Sequence, residues 1–85
     1  MVLERGEDGL GFSIVGGSGS PLGDLPIYVK SVFARGAAAQ EGTLRRGDQI
    51  LRVNDHALTH ASHAHAVHVL KEARGTVTLA ILPAK

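Results

Sequence analysis

The chain has 85 residues and a formal net charge of +1, from nine basic and eight acidic side chains. That length holds one small domain and not two, a hydrophobic content of 44% excludes a disordered chain, and no clustered basic excess marks a nucleic-acid binder. With no cysteine there is no disulfide and no thiolate metal site, which fits a reducing compartment; no apolar run approaches a membrane span, and no stretch reads as a signal peptide.

In chain order, Val2-Leu3-Glu4-Arg5 predicts a short first strand. Gly9-Leu10-Gly11 then predicts a turn with positive φ, whose amides are unobstructed by Cβ atoms and can form a nest for an anion. The segment after it, Phe12-Ser13-Ile14-Val15, is aromatic and β-branched and reads as a second strand, not a helix. A glycine turn feeding a strand suits a small carboxylate whose chain runs on beside that strand better than it suits a dinucleotide. Residues 16–26 are rich in glycine and proline and predict a flexible loop. Ile27 to Val32 predicts a third strand, and the apolar spacing slips phase between Val29 and Val32, which predicts a bulge or bend.

The alanine stretch bounded by Gly36 and Gly42 has room for one or two helical turns. Residues 44–55 predict a turn, a strand and a second turn, the last at Asn54-Asp55, which tolerates the left-handed region. A long helix is predicted over 62–74, with Ser62 as N-cap, Gly75 at C′, and Lys71 and Arg74 set against the C-terminal dipole. Thr76 to Leu82 alternates as a last strand. On the long helix, Ala66, Val69, Leu70 and Ala73 form a core stripe. His63, Val67 and Leu70 form a second stripe beside it, which is either extra core or the wall of a groove ending in an imidazole.

Taken together, Gly9-Leu10-Gly11-Phe12, Ile14-Val15-Gly16-Gly17, Ile27-Tyr28-Val29, the run from Leu44 to Asn54 around Arg46-Gly47-Asp48-Gln49-Ile50, and Ser62-His63 opening a helix resemble a PDZ domain over nearly the whole chain. The modules of multi-PDZ scaffold proteins are the nearest in character. Asp55 departs from the glycine usual after the asparagine, a conservative turn change. The resemblance implies a mainly β fold with two helices, a partly open barrel or sandwich of five to six strands capped by one short and one long helix. It also implies a single domain, 1–85, excised from a longer scaffold, monomeric when isolated, acting in the cytoplasm at the inner face of the plasma membrane or at cell junctions.

The implied function is capture of a partner's C-terminal peptide by strand addition between the second strand and the long helix, with no catalysis and no cofactor. The implied partners are the tails of receptors, channels or junction proteins. Amides of Leu10, Gly11 and Phe12 would cradle the terminal carboxylate, with Arg5 assisting through water. Glu7 and Asp8 would oppose an anion unless they point outward. Leu10, Phe12, Ile14, Val67 and Leu70 would line a pocket for a final Val, Leu or Ile. His63 would accept a hydrogen bond from a Ser or Thr hydroxyl two residues before the end, giving a class I ligand, Ser/Thr-X-apolar-COOH. Ser13, Ile14 and Val15 would hold the peptide backbone or its flanks, and Lys30 would favour an acidic side chain. So few contacts imply an affinity on the order of micromolar.

Three other readings compete. Ser13, Ser18 and Ser20 lie in no Gly-X-Ser-X-Gly elbow, which argues against a hydrolase, although a module of this size could regulate an enzyme elsewhere in its parent. Arg45-Arg46 could give weak contact with phosphoinositide lipid, or the same fold could take an internal motif. His56, His60, His63, His65 and His68 suggest metal, but His63 and His65 point to different helix faces, and His65 with His68 makes only half a site, so exposed polar positions account for them better.

Overall fold

The structure is a computed structural model that describes residues 1–6, 9–20 and 23–84. Its elements are β1 (Val2–Glu4), β2 (Phe12–Ser20), β3 (Gly23–Val32), α1 (Ala37–Glu41), β4 (Gln49–Val53), β5 (His56–Ala57), α2 (His63–Glu72) and β6 (Thr76–Leu82). The strands pair antiparallel in the order β1-β6-β4-β3-β2, with β5 attached to β4. This is the mainly β fold with one short and one longer helix that the sequence predicts, with six strands in an open sheet.

β6 shows why the alternating pattern folds as it does. Val77 and Leu79 are buried while Thr76, Thr78 and Ala80 face outward, as a half-buried strand requires. β3 and β4 break the strict alternation in the same way. Ser13 pairs with Ser31 and Ile14 with Val29, so Lys30 is the extra residue of a bulge, where the slipped phase placed one. Ile50 pairs with Ile81 and Arg52 with Ala80, leaving Leu51 as the extra residue of β4. Ile50 and Val53, three apart, both reach the core by this means. Ala38 of α1, Ala66 and Val69 of α2, and Ala73 just after it close that core.

Two expectations need correction. Residues 16–26 are not a flexible loop where they are described: β2 continues to Ser20, and Gly16 pairs with Ile27 and Gly17 with Leu25. The composition reads as a loop because these glycines take φ of 95° and 116°, and two register shifts absorb the irregularity without ending the ladder. Pro21 and Leu22 lie outside the described residues. The long helix also stops sooner than predicted. Its last helical residue is Glu72, and Ala73 leaves the helix with ψ of 125°, so Gly75, though left-handed at φ 63°, stands one position past C′.

Helix starts and turns follow local chemistry. The Ser62 hydroxyl accepts a hydrogen bond from the His65 amide at 3.0 Å, the N-cap arrangement that its position predicts. Asn54 adopts φ of 52°, and its side-chain oxygen accepts from the Thr78 amide at 2.9 Å. Asp48 is only 2% exposed, and its carboxylate accepts from the amides of Arg45 and Ala84, both at 2.9 Å. These bonds lock the turn that launches β4.

Candidate functional site

β2 is the last strand of the sheet and hydrogen-bonds to β3 on one side. On its other side a cavity of about 390 Å³ separates it from α2. Phe12, Ser13 and Ile14 of β2 line one wall, and His63, Val67, Leu70 and Lys71 of α2 line the other. The glycine turn closes one end with Gly9, Leu10 and Gly11, and Arg5 and Phe33 complete the lining.

The turn is held from behind. The Leu10 carbonyl accepts from the Ala38 amide at 3.1 Å, and the Gly11 carbonyl from the Phe33 amide at 2.9 Å. In a trans peptide the C=O and the following N–H point in opposite directions. Fixing those two carbonyls toward α1 and the segment before it therefore turns the Gly11 and Phe12 amides the other way. Gly9 and Gly11 both have φ of 85°. A Cβ on Gly11 would lie 2.6 Å from the Gly36 Cα, so two glycine backbones cross where no side chain fits.

The opposite end is shut by a second crossing. A Cβ on Gly17 would lie 2.4 Å from the backbone nitrogen of His63 and 2.8 Å from its Cα. Beside it, His63 Nδ1 lies 3.1 Å from the Gly16 carbonyl oxygen. A carbonyl can only accept, so Nδ1 carries the proton in this bond. In the neutral ring, Nε2 then keeps its lone pair.

Arg5 joins the cavity to the end of α2. Its Nη1 donates to the carbonyls of Leu70 at 2.8 Å, Lys71 at 3.0 Å and Ala73 at 2.7 Å. The guanidinium thus caps the carboxyl end of α2 while remaining on the cavity wall. Among the described residues no three His, Asp or Glu side chains gather as metal ligands. His68 Nε2 lies 3.8 Å from Glu72 Oε1 on the exposed side of α2.

The family match for PDZ domains covers residues 1–82. The chain belongs to the PDZ domain family. It is 63% identical over 82 residues to Multiple PDZ domain protein of Rattus norvegicus, an alignment covering 96% of this chain and 4% of that one. It is 49% identical over 81 residues to Disks large homolog 2 of Rattus norvegicus, covering 93% and 10%, and 42% identical over 81 residues to InaD-like protein of Canis lupus familiaris, covering 95% and 4%. This PDZ domain therefore spans a small fraction of the curated relatives that it matches, and PDZ domains as a family are protein-interaction modules.

Of the residues singled out from the sequence of this PDZ domain, Arg5, Leu10, Gly11, Phe12, Ser13, Ile14, His63, Val67 and Leu70 meet at the cavity. Val15 and Lys30 do not line it; both are exposed, Val15 on β2 and Lys30 at the β3 bulge. Glu7 and Asp8 lie outside the described residues. Sequence reasoning missed Phe33 and Lys71 as lining residues. Phe33 is 53% exposed, and the available signal was a large aromatic placed just after a strand and before a glycine. Lys71 stands four residues after Val67 and eight after His63, which continues the groove stripe.

Proposed function

We propose that this PDZ domain is a non-catalytic adaptor that captures the free C-terminal end of a partner protein by adding it as a strand beside β2. The observation that carries the reading is the edge position of β2, paired with β3 on one side and facing α2 across the cavity on the other. An edge strand presents backbone donors and acceptors that an extended peptide can pair with. The amides of Gly11 and Phe12 take the carboxylate. Leu10, Phe12, Ile14, Val67 and Leu70 receive a final Val, Leu or Ile, whose burial is worth roughly 1.5–3 kcal/mol. The Nε2 lone pair of His63 accepts from a Ser or Thr hydroxyl, which makes the ligand class I, Ser/Thr-X-apolar-COOH.

The similarity to proteins named Multiple PDZ domain protein and Disks large homolog 2 supports a place for this domain in a longer scaffold. Tails of receptors, channels or junction proteins at the cytoplasmic face of a membrane are the partners that fit. Among the described residues no helix is long and apolar enough to cross a membrane. The decisive experiment is a calorimetric titration with a peptide ending Thr-Ala-Val, offered as the free acid and as the amide. Saturable micromolar binding of the acid, lost on amidation, is expected. Equal binding of both forms removes the carboxylate from the mechanism.

A further inference from the structure

We propose that Thr43 is a phosphorylation site for a kinase that reads basic residues on the carboxyl side of its target, and that the attached phosphate moves the Thr43 side chain from Glu41 to Arg45. Residues 42–45 belong to no helix or strand and lie between α1 and the turn that leads into β4. Thr43 is exposed there, Leu44 is buried, and Arg45 and Arg46 are exposed. That alternation places Thr43 and Arg45 on the same outer side, with Leu44 anchoring the stretch from below. No hydrogen bond or ion pair engages either guanidinium among the described residues. An acidic kinase cleft selects its acceptor by such neighbouring charges. Other hydroxyls are worse placed. Ser13, Ser31, Thr76 and Thr78 stand in paired strands, Ser62 caps α2, and Thr59 is followed by His60-Ala61-Ser62 rather than by arginine.

Before modification Thr43 is committed to Glu41. Its amide donates to Glu41 Oε1 at 2.9 Å, and its hydroxyl donates to the same oxygen. The kinase brings a nucleoside triphosphate. Thr43 Oγ1 attacks the terminal phosphorus, the bond from that phosphorus to the bridging oxygen breaks, the nucleoside diphosphate leaves, and the hydroxyl proton passes to the kinase's base. The product has no hydroxyl proton to give Glu41 and sets about −1.5 to −2 elementary charges beside that carboxylate. Arg45 accommodates this charge. Its backbone is held in place, because its amide donates to the buried Asp48 carboxylate at 2.9 Å and its carbonyl accepts from the Asp48 amide at 3.1 Å. A guanidinium fixed at its root and free at its tip meets a phosphate in a two-pronged contact. Gly42, left-handed at φ 89° with open space around it, gives the chain room to turn. The exposed Arg45-Arg46 pair is then neutralised, and a surface that attracts anions ceases to do so.

The test incubates the domain with magnesium ATP and the active catalytic domain of a serine/threonine kinase selective for arginine after its acceptor, and maps the product by peptide mass spectrometry. One phosphate on Thr43 is expected, absent from Thr43→Val, with the initial rate lowered about tenfold when Arg45→Gln and Arg46→Gln are combined. In parallel the domain is made with phosphothreonine at position 43 and followed by phosphorus NMR as pH is varied. The second phosphate ionisation, at about 6 for a phosphorylated residue standing alone, is expected to fall below that value beside Arg45, to rise back in Arg45→Gln, and to fall further in Glu41→Gln. Every altered side chain is exposed, so each variant is expected to keep its fold. The proposal is overturned if Thr43 stays unmodified in the folded domain, if phosphate appears elsewhere at a comparable rate, or if the phosphothreonine ionises at the same pH with and without Arg45. None of these readouts involves a peptide, so they stand whatever the groove binds.

Discussion

The two ends of the groove are built alike and serve opposite purposes. At the turn end Gly11 crosses Gly36, and at the far end Gly17 crosses the start of α2. Both contacts bring backbone onto backbone at a glycine with positive φ. The first lies behind the turn and presents amides forward. The second lies across the cleft and shuts it, leaving the His63 ring as the last group before closure. Glycine thus positions donors at one end and sets the length of the cleft at the other.

The largest effects should come from breaking either crossing. Gly11→Ala and Gly17→Ala each add a Cβ against backbone in a left-handed residue, and each should destabilise the fold by about 3 kcal/mol in urea unfolding. They should separate in binding. Corrected for folded fraction, Gly11→Ala loses the preference for free acid over amide, whereas Gly17→Ala keeps it. Gly42→Ala sharpens the comparison, because φ there is 89° with nothing within 4 Å of the added Cβ. It should cost only about 1 kcal/mol, the conformational penalty alone.

Next in size is Leu70→Ala, which enlarges the last-residue pocket near the turn. Affinity for a peptide ending in Val should fall about tenfold, with a smaller loss for one ending in Ala. His63→Ala acts at the far end and should reduce affinity for a Thr-X-Val peptide about fivefold while barely changing that for Ala-X-Val. The smallest effect is Lys30→Glu, which should shift preference away from an acidic side chain by at most about 1 kcal/mol in a peptide array.

The turn end was more legible in the sequence than the far end. Gly9-Leu10-Gly11-Phe12 announces itself because its signal is local: a positive-φ residue, an unobstructed amide and a strand that follows. Ser62, Asn54 and the Lys30 bulge are readable for the same reason, since cap, turn and phase slip are settled within a few residues. Gly16 and Gly17 gave the opposite impression. Their strand character depends on pairing with Ile27 and Leu25 and on packing against His63, which composition does not record. The helix end failed likewise. Propensity carries α2 to Arg74, but the Arg5 guanidinium, 68 residues away from Ala73 in sequence, takes its carbonyl. Phe33 was overlooked because an aromatic after a strand reads as ordinary packing until its amide is seen to hold Gly11.

The odd residue in β3 has a further consequence. Phe12 faces Val32 and Ile14 faces Val29, so three residues of β2 are matched by four of β3, with Lys30 left over. Removing Lys30 would restore a regular count without exchanging the inner and outer sides of either strand, whereas a deletion within a regularly paired stretch would invert every side chain beyond it. The hairpin thus has, beside the cleft, a place where its length can change by a single residue and alter only its curvature.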